Sequence, residues 1–113
     1  MDCLFCKIIK GEIPSKKVYE DDNVYAFYDI NPAAPVHVIV IPKMHIESVN
    51  AIDETNSIYV QYVFEAIPKI ADSLGIKEEG YRVITNIGEN GGQTIKHLHF
   101  HIIGGTKLNE KLV

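Results

Sequence analysis

At 113 residues, 46% hydrophobic and 23% charged, the chain has the composition of a single globular domain and not of a disordered segment. Lys and Arg total 11 against 15 Asp and Glu, a net charge of −4 that argues against a general binder of nucleic acid or anionic membranes. No run approaches the roughly 20 apolar residues of a membrane-spanning helix. Asp2 follows Met1 with no long apolar opening, so a cytoplasmic protein with its two cysteines reduced is expected.

Residues 4–10 carry Leu4, Ile8 and Ile9 at helical spacing and meet Gly11, which predicts a short helix. Residues 17–20 and 24–29 are strand-like and flank Asp21-Asp22-Asn23, a hairpin signal. Residues 30–35 hold two prolines and read as a loop. The β-branched run 36–41 predicts a central strand ended by Pro42.

Residues 53–74 form the one long helical pattern, with Val60, Val63, Phe64, Ile67, Ile70, Ala71 and Leu74 on one face. Asp53, Thr55 and Ser57 are candidate N-caps and Gly75 a C-terminal stop. Pro68 lacks the donor for the Phe64 carbonyl, so a kink or break is expected there. Strands are predicted at 81–87 and 97–103, joined by the glycine-rich loop 88–92, with a polar tail at 106–113. Runs of strands with one inserted helix predict an α+β domain spanning residues 1–113, built on an antiparallel sheet.

The segment His97-Leu98-His99-Phe100-His101 carries three of the five histidines. On a strand, these three share one face while Leu98, Phe100 and Ile102 share the other and face the core. Such a row suits either metal binding or nucleophilic attack at phosphorus. Just before it, Asn90-Gly91-Gly92-Gln93-Thr94 offers bare backbone and polar side chains suited to an anion, and Asn86 can face the same region.

The stretch 92–103 resembles the signature of the histidine-triad nucleotide-binding proteins, histidine–apolar–histidine–apolar–histidine followed by two apolar residues. Phe5-Cys6-Lys7-Ile8-Ile9, Glu12-Ile13-Pro14, Glu20-Asp21-Asp22, Ala34-Pro35-Val36-His37 and Ile41-Pro42-Lys43-Met44-His45-Ile46 resemble further family segments in the same order.

The resemblance implies a five-stranded antiparallel sheet with a long helix and a short N-terminal one. It also implies a hydrolase of purine nucleoside phosphoramidates or related conjugates. His99 stands where the family histidine attacks the α-phosphorus to give a covalent nucleotidyl–histidine. Its second ring nitrogen should then hold a proton against a fixed acceptor such as a backbone carbonyl. His101 and His37 stand at positions that flank the phosphate and move protons, with His97 completing the triad. Asn86, Gly92, Gln93 and Thr94 stand at phosphate or leaving-group positions, with Thr94 where many relatives carry serine.

Asp29 stands where the family accepts the ribose hydroxyls, and Phe5, Ile8, Phe27 and Ile30 where it forms a purine slot. Read without the resemblance, Phe5, Ile8 and Phe27 are plain core, Asp29 caps a turn before Asn31-Pro32, and His37 is equally a buried structural histidine.

Cys3-x-x-Cys6 has the spacing of half a zinc site. Some bacterial relatives complete such a pair with histidines at the positions of His45 and His97, which implies structural zinc; two metal-free reduced thiols are the alternative. Homodimers are usual in the family, with the long helix and a central strand pairing across a two-fold axis into a ten-stranded sheet. Two rival readings remain. One is a dinucleoside polyphosphate hydrolase, against which the short length, Glu20-Asp21-Asp22 and Gly104-Gly105 weigh. The other is a nucleotide- or zinc-binding partner protein with vestigial hydrolysis.

Overall fold

In the computed structural model, which describes residues 3–111, five strands form one antiparallel sheet in the order β1-β2-β3-β5-β4. The elements in chain order are α1 (Leu4–Ile9), β1 (Lys17–Glu20), β2 (Val24–Tyr28), β3 (Val36–Pro42), a 3-10 turn (Val49–Ala51), α2 (Ser57–Ser73), β4 (Arg82–Ile84) and β5 (Phe100–Gly104). The architecture is the α+β one expected from the sequence. Among the described residues, no helix is long and apolar enough to cross a membrane.

The β1–β2 hairpin turns where the acidic cluster predicted it. Asp21 accepts both the Asn23 and Val24 amides at 2.8 Å, and this local bonding competes with further strand. Strand β3 lies at the centre, paired with β2 on one side and β5 on the other. Alternation gives it two buried faces. Val38 and Val40 join Val24, Ala26, Leu98, Phe100 and Ile102 against α2, whose stripe is Val63, Ala66, Ile67, Ile70 and Ala71. Ile39 and Ile41 join Tyr25, Phe27, Cys3, Phe5 and Ile8 of the α1 side in a second cluster.

Four expectations need correction. The long helix starts at Ser57 and not at residue 53, because Asp53 folds back on itself, accepting the Thr55 amide and hydroxyl at 2.8 and 2.6 Å. It runs through Pro68 unbroken. One ladder bond is forfeited, and the apolar stripe on both sides of it holds the helix on the sheet. Phe64, expected on the buried face, is 49% exposed and meets Phe100 edge-on at 5.2 Å between ring centres.

The last correction bears on the site. Strand β4 covers only residues 82–84, and β5 starts at Phe100, so of the triad only His101 sits in the ladder. Alternation nevertheless continues ahead of it, with Leu98 packed among the α2-side residues.

Candidate active site and metal cluster

The α1-facing side of the sheet collects the histidines. His37 precedes Ile39 and Ile41 by even steps on β3, and His101 lies directly across from Ile39 in the β3–β5 register, so all four share that face. His97, His99 and His37 are buried, and His101 is half-buried.

Backbone groups fix the tautomers of His99 and His37, and His37 in turn fixes that of His101. His99 Nδ1 lies 2.6 Å from the His97 carbonyl, which can only accept, so Nδ1 carries the proton and Nε2 keeps its lone pair. The Ala33 amide donates to His37 Nδ1 at 3.0 Å, which puts the His37 proton on Nε2. That proton points at His101 Nδ1, 2.9 Å away, with an Asp29 carboxylate oxygen at 3.4 Å. His101 therefore carries its own proton on Nε2.

Burial pushes the His99 pKa below the ordinary imidazole value, opposed by the His97 carbonyl and the charge of Asp29. Burial, with the charges of His99 and His37 adding, pushes His101 down to about 4. The two neighbouring rings, 5.2 Å between centres, thus offer a free lone pair and an N–H donor at neutral pH.

Around them, Phe5 stands edge-on to His99 at 5.0 Å and to Phe27 at 5.6 Å between ring centres. Phe5, Ile8 and Phe27 are buried beside the histidines, and Ile30 is 91% exposed. Asp29 does cap its turn, accepting the Asn31 amide at 2.8 Å through one oxygen, and its other oxygen faces His37.

The glycine-rich loop is braced by its own polar residues. Asn86 donates to the Gly91 carbonyl at 2.7 Å. Gln93 accepts the Gly88 amide at 3.1 Å and donates to the Glu47 carbonyl at 2.7 Å. A Cβ on Gly91 would sit 2.2 Å from the Ile87 carbonyl oxygen, so only glycine fits there. Gly92, Gln93 and Thr94 line a cleft of about 660 Å³ with Lys96, Glu47 and Ser48.

Behind the triad, one ligand atom from each of Cys3, Cys6, His45 and His97 falls within 4.8 Å of the others. His97 Nε2 donates to the Pro42 carbonyl at 2.9 Å, which leaves its Nδ1 lone pair for the cluster. That nitrogen is 3.3 Å from Cys3 Sγ, 3.5 Å from Cys6 Sγ and 3.2 Å from His45 Nδ1, and Cys6 Sγ is 3.4 Å from His45 Nδ1. A tetrahedral ion with ordinary zinc bond lengths separates two nitrogens by about 3.3 Å and a nitrogen from a sulfur by about 3.5 Å. The four residues therefore fit a metal ion in donor type and spacing. With no cation, burial pushes the Cys6 thiol up to about 11, helped by its bond with Cys3.

Thr85 escaped the sequence reading. Its hydroxyl donates to the His99 carbonyl at 2.8 Å from just beyond β4. The backbone partners at Ala33 and Pro42 escaped too, since main-chain groups leave no mark in residue type.

Comparison with known proteins finds relatives that span nearly the whole chain. The family model described as the HIT domain matches residues 10–108. The chain is 42% identical over 111 residues to a purine nucleoside phosphoramidase of Escherichia coli (strain K12), covering 98% of this chain and 93% of the relative. It is 49% identical over 105 residues to an uncharacterized HIT-like protein of Helicobacter pylori, covering 92% and 97%. Among solved structures, a HIT family hydrolase from Clostridium thermocellum superposes with a TM-score of 0.96 at 52% identity, covering 99% of this chain and 97% of that one. A histidine triad protein from Clostridium difficile superposes with a TM-score of 0.95 at 51% identity, covering 98% and 96%.

Proposed function

Since this chain belongs to the HIT-domain family, we propose that its residues 1–113 form one HIT domain acting as a nucleotide-binding hydrolase. Its substrates are purine nucleoside phosphoramidates or related conjugates, cleaved at the α-phosphorus through a nucleotidyl–His99 intermediate. The observation that carries the reading is the His99 ring, whose Nδ1 proton is held by a carbonyl 2.6 Å away while Nε2 stays free. The phosphoramidase name of the Escherichia coli relative supports the substrate class.

His99 Nε2 attacks phosphorus, the P–N bond breaks, and the amine departs. Water then attacks the nucleotidyl–His99, releases the nucleoside monophosphate and restores the ring. Over both steps the proton given up by water ends on the amine, and the His37–His101 pair beside Asp29 is its route. The His101 N–H stabilises charge on the phosphoryl group or leaving atom.

Asn86, Gly92, Gln93 and Thr94 hold the phosphate side. Asp29 accepts the ribose hydroxyls, which selects against deoxyribose. Phe5, Ile8, Phe27 and Ile30 wall the base. The ion at Cys3, Cys6, His45 and His97 is zinc, and when bound it supplies structural cross-linking and no step of the hydrolysis. Far less than one zinc per chain after chelator-free purification would count against that assignment.

The protein works in the cytoplasm as a homodimer. Strand β4 is an edge of the protomer sheet, and α2 exposes Ile58 and Phe64. The test of the chemistry is turnover of adenosine phosphoramidate against diadenosine polyphosphate, with His99→Ala and His99→Asn as controls. Faster amine release by wild type, lost in both variants, and an adduct of one nucleotidyl group by mass spectrometry are expected. Equal turnover by wild type and variants refutes the role of His99.

A further inference from the structure

Segment 97–99 carries the triad's centre but lies outside the β5 ladder. Its main chain is tied by the Leu98 amide to the Ile46 carbonyl at 2.6 Å and by Thr85 to the His99 carbonyl at 2.8 Å. On the core side Leu98 is buried against the α2 face, and on the opposite side the segment is anchored by the buried ring of His97. That residue faces two ways, with its ring nitrogen in the metal cluster and its carbonyl holding the His99 proton.

A second link runs through α1. Phe5 sits between the two cysteines in sequence, and its ring meets His97 and His99 edge-on at 5.9 and 5.0 Å between centres. Cys3 caps α1, accepting the Cys6 amide at 3.3 Å, so the same thiols that reach the cluster also set the helix that aims Phe5.

We propose that metal occupancy of the Cys3–Cys6–His45–His97 cluster sets the tautomer and position of His99, which makes His97 and His45 positioning residues for the nucleophile. With an ion bound, four ligand atoms are drawn to one point and the His97 carbonyl is fixed over His99 Nδ1. Without it, the His97 ring keeps the Pro42 carbonyl alone, Phe5 loosens with α1, and the His99 proton exchanges between its two nitrogens. A cleft of about 510 Å³ lined by Cys3, His45 and Lys96 gives ion and chelator access to the cluster.

The inference rests on the proposed role of His99 for its kinetic consequence and is independent of that role for its spectroscopic one. The experiment compares the zinc-loaded chain, the chelator-treated chain and the His45→Gln variant titrated with zinc. Imidazole nitrogen shifts of histidine-labelled protein report the tautomer of His99, and far-ultraviolet circular dichroism reports the fold.

A single Nδ1–H tautomer when loaded and a mixture when metal-free are expected, tracking zinc occupancy in His45→Gln. With them goes a kcat loss of about 10-fold to 100-fold at little change in KM, reversed by adding zinc back. An unchanged tautomer in the folded metal-free chain overturns the proposal, as does failure to bind zinc or unfolding of the whole chain on metal loss. If no phosphoramidate is turned over in any state, the hydrolase reading fails, and the tautomer alone decides this one.

Discussion

A hydroxyl that no motif announces holds the backbone of His99, the proposed nucleophile. Thr85 bonds the His99 carbonyl at 2.8 Å, and Thr85→Val removes that donor while keeping the shape of the side chain. The expected cost is about 1 kcal/mol of stability by urea denaturation. A fall in kcat should accompany it, and Thr85→Ser should recover most of both.

His101 makes a second residue-scale prediction. Its folded pKa is pushed down to about 4, below the ordinary 6.5, so between those values the unfolded chain binds more protons. Its contribution to stability is complete above pH 6.5 and is lost as pH falls toward 4. Unfolding midpoints across that range should slope less steeply in His101→Gln than in wild type.

Among the elements, α2 carries a proline that sequence alone turns into a kink. Pro68 is exposed, and the residues that hold the helix down, Val63, Ala66, Ile67, Ile70 and Ala71, flank it on both sides. Pro68→Ala restores the donor to the Phe64 carbonyl and should raise stability by about 1–3 kcal/mol in denaturant titration. The glycine-rich loop behaves oppositely. Gly91→Ala drives a Cβ into the Ile87 carbonyl, and the expected result is a lower melting temperature with the loop's protection from hydrogen exchange lost. Strand ends were the least legible elements: residues 81, 85–87 and 97–99 have strand-like sequence yet lie outside the ladder. At 97–99 the His97 and His99 carbonyls go to the His99 ring and the Thr85 hydroxyl, while the Leu98 amide goes to the Ile46 carbonyl.

At the scale of the whole molecule, β4 leaves one flank of the sheet unpaired and α2 exposes Ile58 and Phe64. A dimer formed through them should give twice the protomer mass by light scattering at micromolar concentration. Phe64→Glu should shift that mass toward the monomer and make the unfolding midpoint depend less on protein concentration. A protomer mass for wild type at that concentration removes the proposed interface.

Sequence alone determined the antiparallel α+β layout, the hairpin at Asp21 and the two-sided alternation that sends Leu98, Phe100 and Ile102 to one face and the histidines to the other. These follow from local rules of period and turn chemistry, which need no knowledge of distant residues. Tertiary structure alone decided which ring nitrogen carries each proton, because the partners are carbonyls and amides at His97, Pro42 and Ala33 that any residue type could supply. The meeting of Cys3 and His97, 94 positions apart, was expected only through the family resemblance, and the fold is what brings it about. The reason is the same in both cases: main-chain partners and long-range convergence depend on how the chain is folded back, and neither leaves a periodic trace along it.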